Sequence, residues 1–66
     1  MNLIINGENK IFDLNISLEK IIQELQIESK VMAAAVNMEV VKKENWANFI
    51  PKENDKIELL QFVGGG

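Results

Sequence analysis

Residues 2–25 read NLIINGENKIFDLNISLEKIIQEL, and the repeat of their apolar residues changes from that of a strand to that of a helix. The apolar run over residues 2–6 predicts a first strand, and the pair Asn6-Gly7 favours the positive backbone angles of a tight hairpin turn. A second, half-buried strand is predicted over residues 10–16, because apolar and polar residues alternate there. The apolar members of this alternation are Phe12, Leu14 and Ile16.

A helix is predicted over residues 18–26. Ser17 stands at the N-cap position, where a hydroxyl oxygen can accept a backbone N–H, and Glu19 in the first turn complements the helix dipole. The apolar stripe has helical spacing. It consists of Leu18, Ile21, Ile22 and Leu25.

The second half of the chain is predicted to return to strands. Residues 30–37 contain the run Ala33-Ala34-Ala35, which is expected to lie close beneath the helix because bulky side chains would not fit there. A turn and a short fourth strand with Val40-Val41 should follow.

A helical turn is predicted over residues 43–50, with Trp46 packed at the edge of the core and Pro51 ending the turn. After a turn at Asn54-Asp55, a last strand is predicted over residues 56–63. Its core face should contain Ile57 and Leu59, and its outer face Glu58, Leu60 and Phe62.

This order of elements predicts an α+β domain of the β-grasp type, with a mixed sheet of four to five strands crossed by one helix. A short helical turn precedes the last strand, which should pair parallel with the first in the sheet centre. We expect the domain to span residues 1–63 and residues 64–66 to form a flexible glycine tail.

The composition argues against an enzyme. The 66 residues include no Cys, His, Tyr, Arg or Thr, so the usual nucleophiles, bases and zinc ligands are missing. Ten carboxylates against seven lysines give a net charge of −3, which opposes binding to nucleic acid. No apolar run approaches the ~20 residues that cross a bilayer, so no membrane partner and a cytoplasmic location are expected.

The C-terminal Gly64-Gly65-Gly66 is the most distinctive chemical feature. Three terminal glycines can be a frayed end or a remnant of cloning, but here they directly follow a predicted central strand. Glycine can thread a narrow channel because it has no Cβ. The carboxylate of Gly66 would need activation by a nucleotide, after which a sulfur nucleophile could displace AMP and leave a thiocarboxylate.

Residues 36–46 read VNMEVVKKENW and residues 54–59 read NDKIEL, and the three glycines follow. With Trp46 and the Gly65-Gly66 end as its firmest elements, this pattern resembles the ThiS family of thiamine-biosynthesis sulfur carriers, over the whole chain. Three positions depart from the resemblance, where the family often has glycine, proline and glycine. They are Met38, Lys42 and Asn54.

The resemblance implies a ubiquitin-like carrier and not an enzyme. Its Gly66 carboxylate would be adenylated by an E1-like enzyme similar to ThiF, which uses the ATP, and the carrier itself would bind no cofactor and no metal. A sulfur donor protein would supply the sulfur, and a thiazole synthase similar to ThiG would receive it. From period-two geometry, Leu60 and Phe62 are expected to form the partner interface beside the tail.

Three alternatives remain open from the sequence. The first is the small subunit of molybdopterin synthase, which shares the glycine thiocarboxylate but is usually longer. The second is a ubiquitin-like modifier that forms isopeptide bonds to lysines. The third is a β-grasp binding module whose glycines are idle. The chemical product at Gly66 distinguishes a sulfur carrier from the modifier and from the idle module, whereas the length of the chain and Trp46 favour the thiamine carrier over the molybdopterin synthase subunit.

Overall fold

The computed structural model describes residues 1–62 as a five-stranded sheet with helices packed on one face. Its elements are β1 Asn2–Ile5, β2 Glu8–Ile11, α1 Leu18–Glu24, β3 Val31–Val36, β4 Glu39–Val41, a 3₁₀ helix Lys43–Asn48 and β5 Lys56–Gln61. The strand order is β2-β1-β5-β3-β4. β1 and β5 are parallel, and the other neighbouring strands are antiparallel. The predicted β-grasp order, with the first and last strands paired parallel, is confirmed.

Two hairpins are closed by two-residue turns that begin with asparagine. Asn6 and Gly7 have φ of 49° and 85°, and Asn37 and Met38 have φ of 51° and 72°. Positive φ at both central residues is the signature of the turn that matches strand twist. The Asn6-Gly7 turn is therefore confirmed, and the β3–β4 turn forms although Met38 stands where glycine would be unstrained.

The helix begins as predicted and ends two residues early. The Ser17 hydroxyl accepts a hydrogen bond from the backbone N–H of Lys20 at 3.1 Å, so Ser17 is the N-cap. α1 ends at Glu24 because Gln26 takes a left-handed conformation, φ 60°, and donates its N–H to the Gln23 carbonyl at 3.0 Å. Leu25 is therefore a cap residue, half-buried against the core.

One core lies between the helices and one face of the sheet. The buried apolar residues are Leu3, Ile5, Phe12, Ile16, Leu18, Ile21, Ile22, Val31, Ala34, Val36, Val41, Trp46, Ile57 and Leu59. They include the predicted inward residues of β5 and three of the four members of the helix stripe. No polar or charged side chain of the described residues is buried with them.

The second strand is shorter than predicted. β2 ends at Ile11, and the chain then leaves the sheet through a loop in which Leu14 is 73% exposed and Asn15 has φ of 64°. Phe12 and Ile16 are buried, but they anchor the two ends of this loop. Their alternation with polar residues predicted a strand over residues 10–16, but the backbone does not continue as a strand beyond Ile11.

The prediction that the three alanines of β3 lie beneath the helix is correct for one of them. Ala34 is buried in the core, whereas Ala33 and Ala35 are half-buried and point to the opposite face of the sheet. Successive residues of a strand alternate between faces, so a run of three alanines cannot share one face.

Trp46 is a packing residue, as predicted. It lies in the 3₁₀ helix with 4% of its surface exposed, and its indole N–H donates to the carbonyl oxygen of Val41 at 2.8 Å. The buried side chain thus has its only polar group satisfied. The helical turn ends at Asn48, two residues before the predicted end at residue 50, because Phe49 already has an extended backbone with φ of −92° and ψ of 118°.

Candidate functional site

The carboxyl end of β5 is the last part of the described chain before the glycines. β5 has β1 on one side and β3 on the other, so it is the central strand. The residue after it, Phe62, donates its backbone N–H to the carbonyl oxygen of Lys30 at 2.6 Å. The path of the chain is therefore fixed by backbone hydrogen bonds up to Phe62.

The reactive group predicted from the sequence lies beyond this point. Gly64, Gly65 and Gly66 fall outside the described residues, and so does the predicted boundary between residues 63 and 64. Phe62 precedes the terminal residue by four positions. The described residues define the position of Phe62, after which the end of the chain with the predicted tail follows.

Leu60 and Phe62 both point away from the core, as predicted. Each is 62% exposed, whereas their neighbours Ile57 and Leu59 are 0% and 6% exposed. Leu60 pairs directly with Ala33 of β3. Two large apolar side chains are thus exposed to solvent at the end of β5. Their role as a partner interface stays a prediction.

The outer face of the sheet holds a shallow apolar groove beside Leu60. Its lining, here called the outer groove, consists of Asn6, Ala33, Ala34, Ala35, Met38, Val40, Glu58, Leu59 and Leu60. The small Ala33 and Ala35 form its floor, and Val40 and Met38 are 75% and 88% exposed at its side. Glu58 is the one charged residue among the lining. An apolar depression with a single carboxylate suits a partner surface that is apolar with a basic group nearby.

Most of this groove is not predicted by the sequence patterns. The signal for Val40 was available, because Val40 and Val41 are adjacent in a strand and only one of them can face the core. The alanines were assigned as a set to the core face, which concealed Ala33 and Ala35. For Met38, the sequence indicates only a departure from the glycine that the family often has.

A second depression lies next to β4 and shares Val40 with the outer groove. It is lined by residues of β4, the 3₁₀ helix and the loop before β5, including Lys42, Glu44, Lys52 and Asp55. Its mixed charges and its position at the start of β5 distinguish it from the surface around Leu60 and Phe62 at the end of β5. Within residues 1–62 there is no cluster of three or more acidic side chains suited to a metal ion, and no helix long and apolar enough to span a membrane.

Comparison with known proteins gives a consistent result. The model of the ThiS family matches residues 3–66. The Sulfur carrier protein ThiS of Escherichia coli is 30% identical over 50 residues, which are 76% of each chain. A protein of Paramagnetospirillum magneticum named thiazole synthase is 36% identical over 66 residues; the match covers 100% of this chain and only 20% of that longer protein.

A solved structure shares the whole architecture. The crystal structure of the thiamine biosynthesis protein ThiS from Geobacter metallireducens superposes with a TM-score of 0.80 at 28% identity, covering 100% of both chains. Its solution structure gives a TM-score of 0.77. The family match extends from the first strand to the last glycine. The chain therefore belongs to the ThiS family of sulfur carriers in thiamine biosynthesis.

Proposed function

We propose that the carboxylate of Gly66 is the working group of this carrier and that it receives and hands on one sulfur atom. The observation that supports this most is that the family match runs through residue 66, so the glycine end belongs to the family pattern. The fold agrees, because its central strand leads directly to that end. The chain would then act as a co-substrate of other enzymes and not as an enzyme.

The chemistry proceeds in two steps. A carboxylate oxygen of Gly66 attacks the α-phosphorus of ATP, which forms an acyl adenylate and releases pyrophosphate. Sulfide or its equivalent from a sulfur donor protein then attacks the carbonyl carbon, AMP leaves, and a thiocarboxylate remains. Activation is needed because a free carboxylate is a poor acyl donor. ATP is bound by the E1-like, ThiF-like partner, and this chain is proposed to bind no cofactor itself.

We propose a ThiG-like thiazole synthase as the acceptor of the sulfur. The relative from Paramagnetospirillum magneticum is named a thiazole synthase and contains a segment that matches the whole of this chain. A carrier-like segment and a synthase within one protein suggest that the two act in succession.

The docking surface proposed for these partners is Leu60, Phe62 and the outer groove. A partner that holds this face also holds the start of the tail, since Leu60 and Phe62 directly precede residues 63–66. Large exposed apolar side chains at such a position are typical of an interface. The single carboxylate of Glu58 favours a partner with a basic side chain opposite it.

The experiment is ATP–pyrophosphate exchange with an E1-like enzyme of this family. Deletion of Gly66 draws the carboxylate back by about 3.5 Å. Because a misplacement of about 1 Å can cost ~100-fold, exchange should collapse in this variant while circular dichroism stays unchanged. Gly64→Ala is the matched control and should keep most of the activity. Full activity after deletion of Gly66 would contradict the proposal.

A further inference from the structure

The side chain of Asn6 contacts the backbone of β5. The backbone N–H of Leu59 donates to Asn6 Oδ1 at 2.8 Å, and Asn6 Nδ2 donates to the carbonyl oxygen of Leu59 at 3.3 Å. Both hydrogen bonds are partly buried and join residues 53 positions apart. A turn residue of the first hairpin therefore holds the strand that leads to the C-terminus.

The register of the sheet explains what this amide replaces. The N–H of Ile4 donates to the Asp55 carbonyl at 3.0 Å, and the N–H of Asn6 donates to the Ile57 carbonyl at 2.9 Å. Continued in the same register, a parallel ladder would next join the Leu59 N–H to the backbone carbonyl of Asn6.

The backbone of β1 cannot supply that next acceptor. At Asn6 the chain enters the hairpin turn, with φ of 49°. Asn6 Oδ1 takes the place of the missing carbonyl, and Asn6 Nδ2 takes the place of the N–H that a longer β1 would offer. The asparagine side chain thus adds two hydrogen bonds to the ladder after its last backbone hydrogen bond, which runs from the Asn6 N–H to the Ile57 carbonyl.

These bonds fix β5 on the side opposite to β3. Beyond Asn6, no backbone of β1 runs beside β5, whereas β3 accompanies it to Gln61 and Lys30 holds Phe62. Without the side-chain amide of Asn6, the part of β5 after Ile57 would be hydrogen-bonded on one side only, by β3 and Lys30. Leu59 would then be free to tilt, and Leu60 and Phe62 with it.

We infer that Asn6 is a positioning residue for the reaction of the C-terminal carboxylate, because it sets the direction in which β5 leaves the domain. The inference rests on the proposed function of Gly66. The four residues after Phe62 reach only about 14 Å, so the position of the first of them determines how often the terminal carboxylate occupies the activating site. Asn6 acts on that first residue through Leu59.

Asn6→Gly is the decisive variant. Glycine accepts the positive φ at this position, and Gly-Gly is a favoured pair in this type of turn, so the hairpin should be retained. Both side-chain hydrogen bonds to Leu59 are lost. Asn15→Gly is the matched control, because Asn15 also has a positive φ, 64°, is exposed, and has no side-chain hydrogen bond within residues 1–62. Asn6→Asp, which keeps the acceptor and loses the donor, serves as a second variant should Asn6→Gly not fold.

Two measurements are compared in the wild type and these variants. Amide hydrogen exchange followed by NMR reports the Leu59 N–H, which should exchange at least about tenfold faster in Asn6→Gly than in Asn15→Gly. ATP–pyrophosphate exchange should show a kcat about tenfold lower in Asn6→Gly than in Asn15→Gly, besides any change in KM that follows from the place of Asn6 in the lining of the outer groove. Asn6→Asp should lie between. A purely structural role would leave kcat of the folded variant unchanged.

The outcomes separate the inference from the function on which it rests. Equal kcat for Asn6→Gly and Asn15→Gly, or equal protection of the Leu59 amide, would overturn the role of Asn6 while the carrier function stands. Failure of the wild-type chain itself to support exchange would overturn the proposed function, and the inference with it.

Discussion

The backbone N–H of Phe62 donates to the carbonyl oxygen of Lys30 at 2.6 Å, which ties the end of β5 to the residue before β3. Phe62 is the last residue that the structure describes. The four residues that follow can span at most about 14 Å when fully extended. A carrier that docks through Leu60 and Phe62 must therefore be activated at a site within this distance of its docking surface.

This limited reach makes the reaction sensitive to tail length. Addition of one glycine after Gly66 should place the carboxylate about 3.5 Å beyond the activating site. Adenylation should fall by ~100-fold or more, because a reaction in near-attack geometry tolerates much smaller errors. Pyrophosphate exchange measures the effect, and insertion of one glycine in the exposed Asp13-Leu14-Asn15 loop is the control. An active extended tail would show that the carboxylate is not held at a fixed distance.

Phe62→Ala should weaken binding to the activating enzyme much more than it destabilises the fold. Phe62 is 62% exposed, so its truncation leaves no cavity, whereas loss of an aromatic anchor from an interface typically costs ~2 kcal/mol or more. Titration calorimetry against the enzyme measures the affinity. Leu14→Ala, at an exposed apolar residue outside the outer groove, should leave affinity unchanged. If Phe62→Ala unfolded the domain and the folded fraction bound normally, the outward assignment would be wrong.

Ile22 and Leu59 should be equally important for stability. They are 1% and 6% exposed and lie in the same core, one on α1 and one on β5. Truncation of either to alanine should lower the free energy of unfolding by ~2–5 kcal/mol, because a buried aliphatic side chain is replaced by a cavity. Urea denaturation provides the measurement. Ile11→Ala is the control, because Ile11 is 83% exposed. It should change the free energy of unfolding by no more than about 0.5 kcal/mol.

Met38 should show opposite effects on stability and on binding. Its φ of 72° is costly for a side chain with a Cβ, so Met38→Gly should stabilise the domain by about 1 kcal/mol. Met38 also lines the outer groove, with 88% of its surface exposed. We expect the same variant to bind partners more weakly. Stabilisation without any loss of affinity would remove Met38 from the interface.

Local patterns predicted the parts of this fold that depend on neighbours in sequence. The Asn6-Gly7 turn, the cap at Ser17 and the alternation of Ile57 and Leu59 each express a short-range rule, and each is confirmed. The parts that were wrong or missed depend on distant residues. Leu14 fits a strand locally, but the backbone leaves the sheet before it. The contact of Asn6 with Leu59 spans 53 positions, so no short window of sequence could show it.

The candidate site was predictable to a smaller extent. Leu60 and Phe62 followed from period-two geometry, since Ile57 and Leu59 had to face the core. The outer groove required the pairing of β3 with β4 and β5, which brings Ala33 beside Leu60 and Ala35 beside Val40. The sequence alone does not show which residues pair between strands that are far apart along the chain.

The most direct test of the account is intact-mass spectrometry of the full chain after incubation with ATP, an E1-like enzyme of the family and sulfide. We predict a gain in mass equal to the replacement of one oxygen by one sulfur, and fragmentation should place that sulfur at Gly66. The change should be absent without ATP and absent in the Gly66 deletion. An unmodified Gly66 under conditions in which the enzyme converts an established ThiS protein would contradict the account, and so would covalent attachment of Gly66 to a lysine.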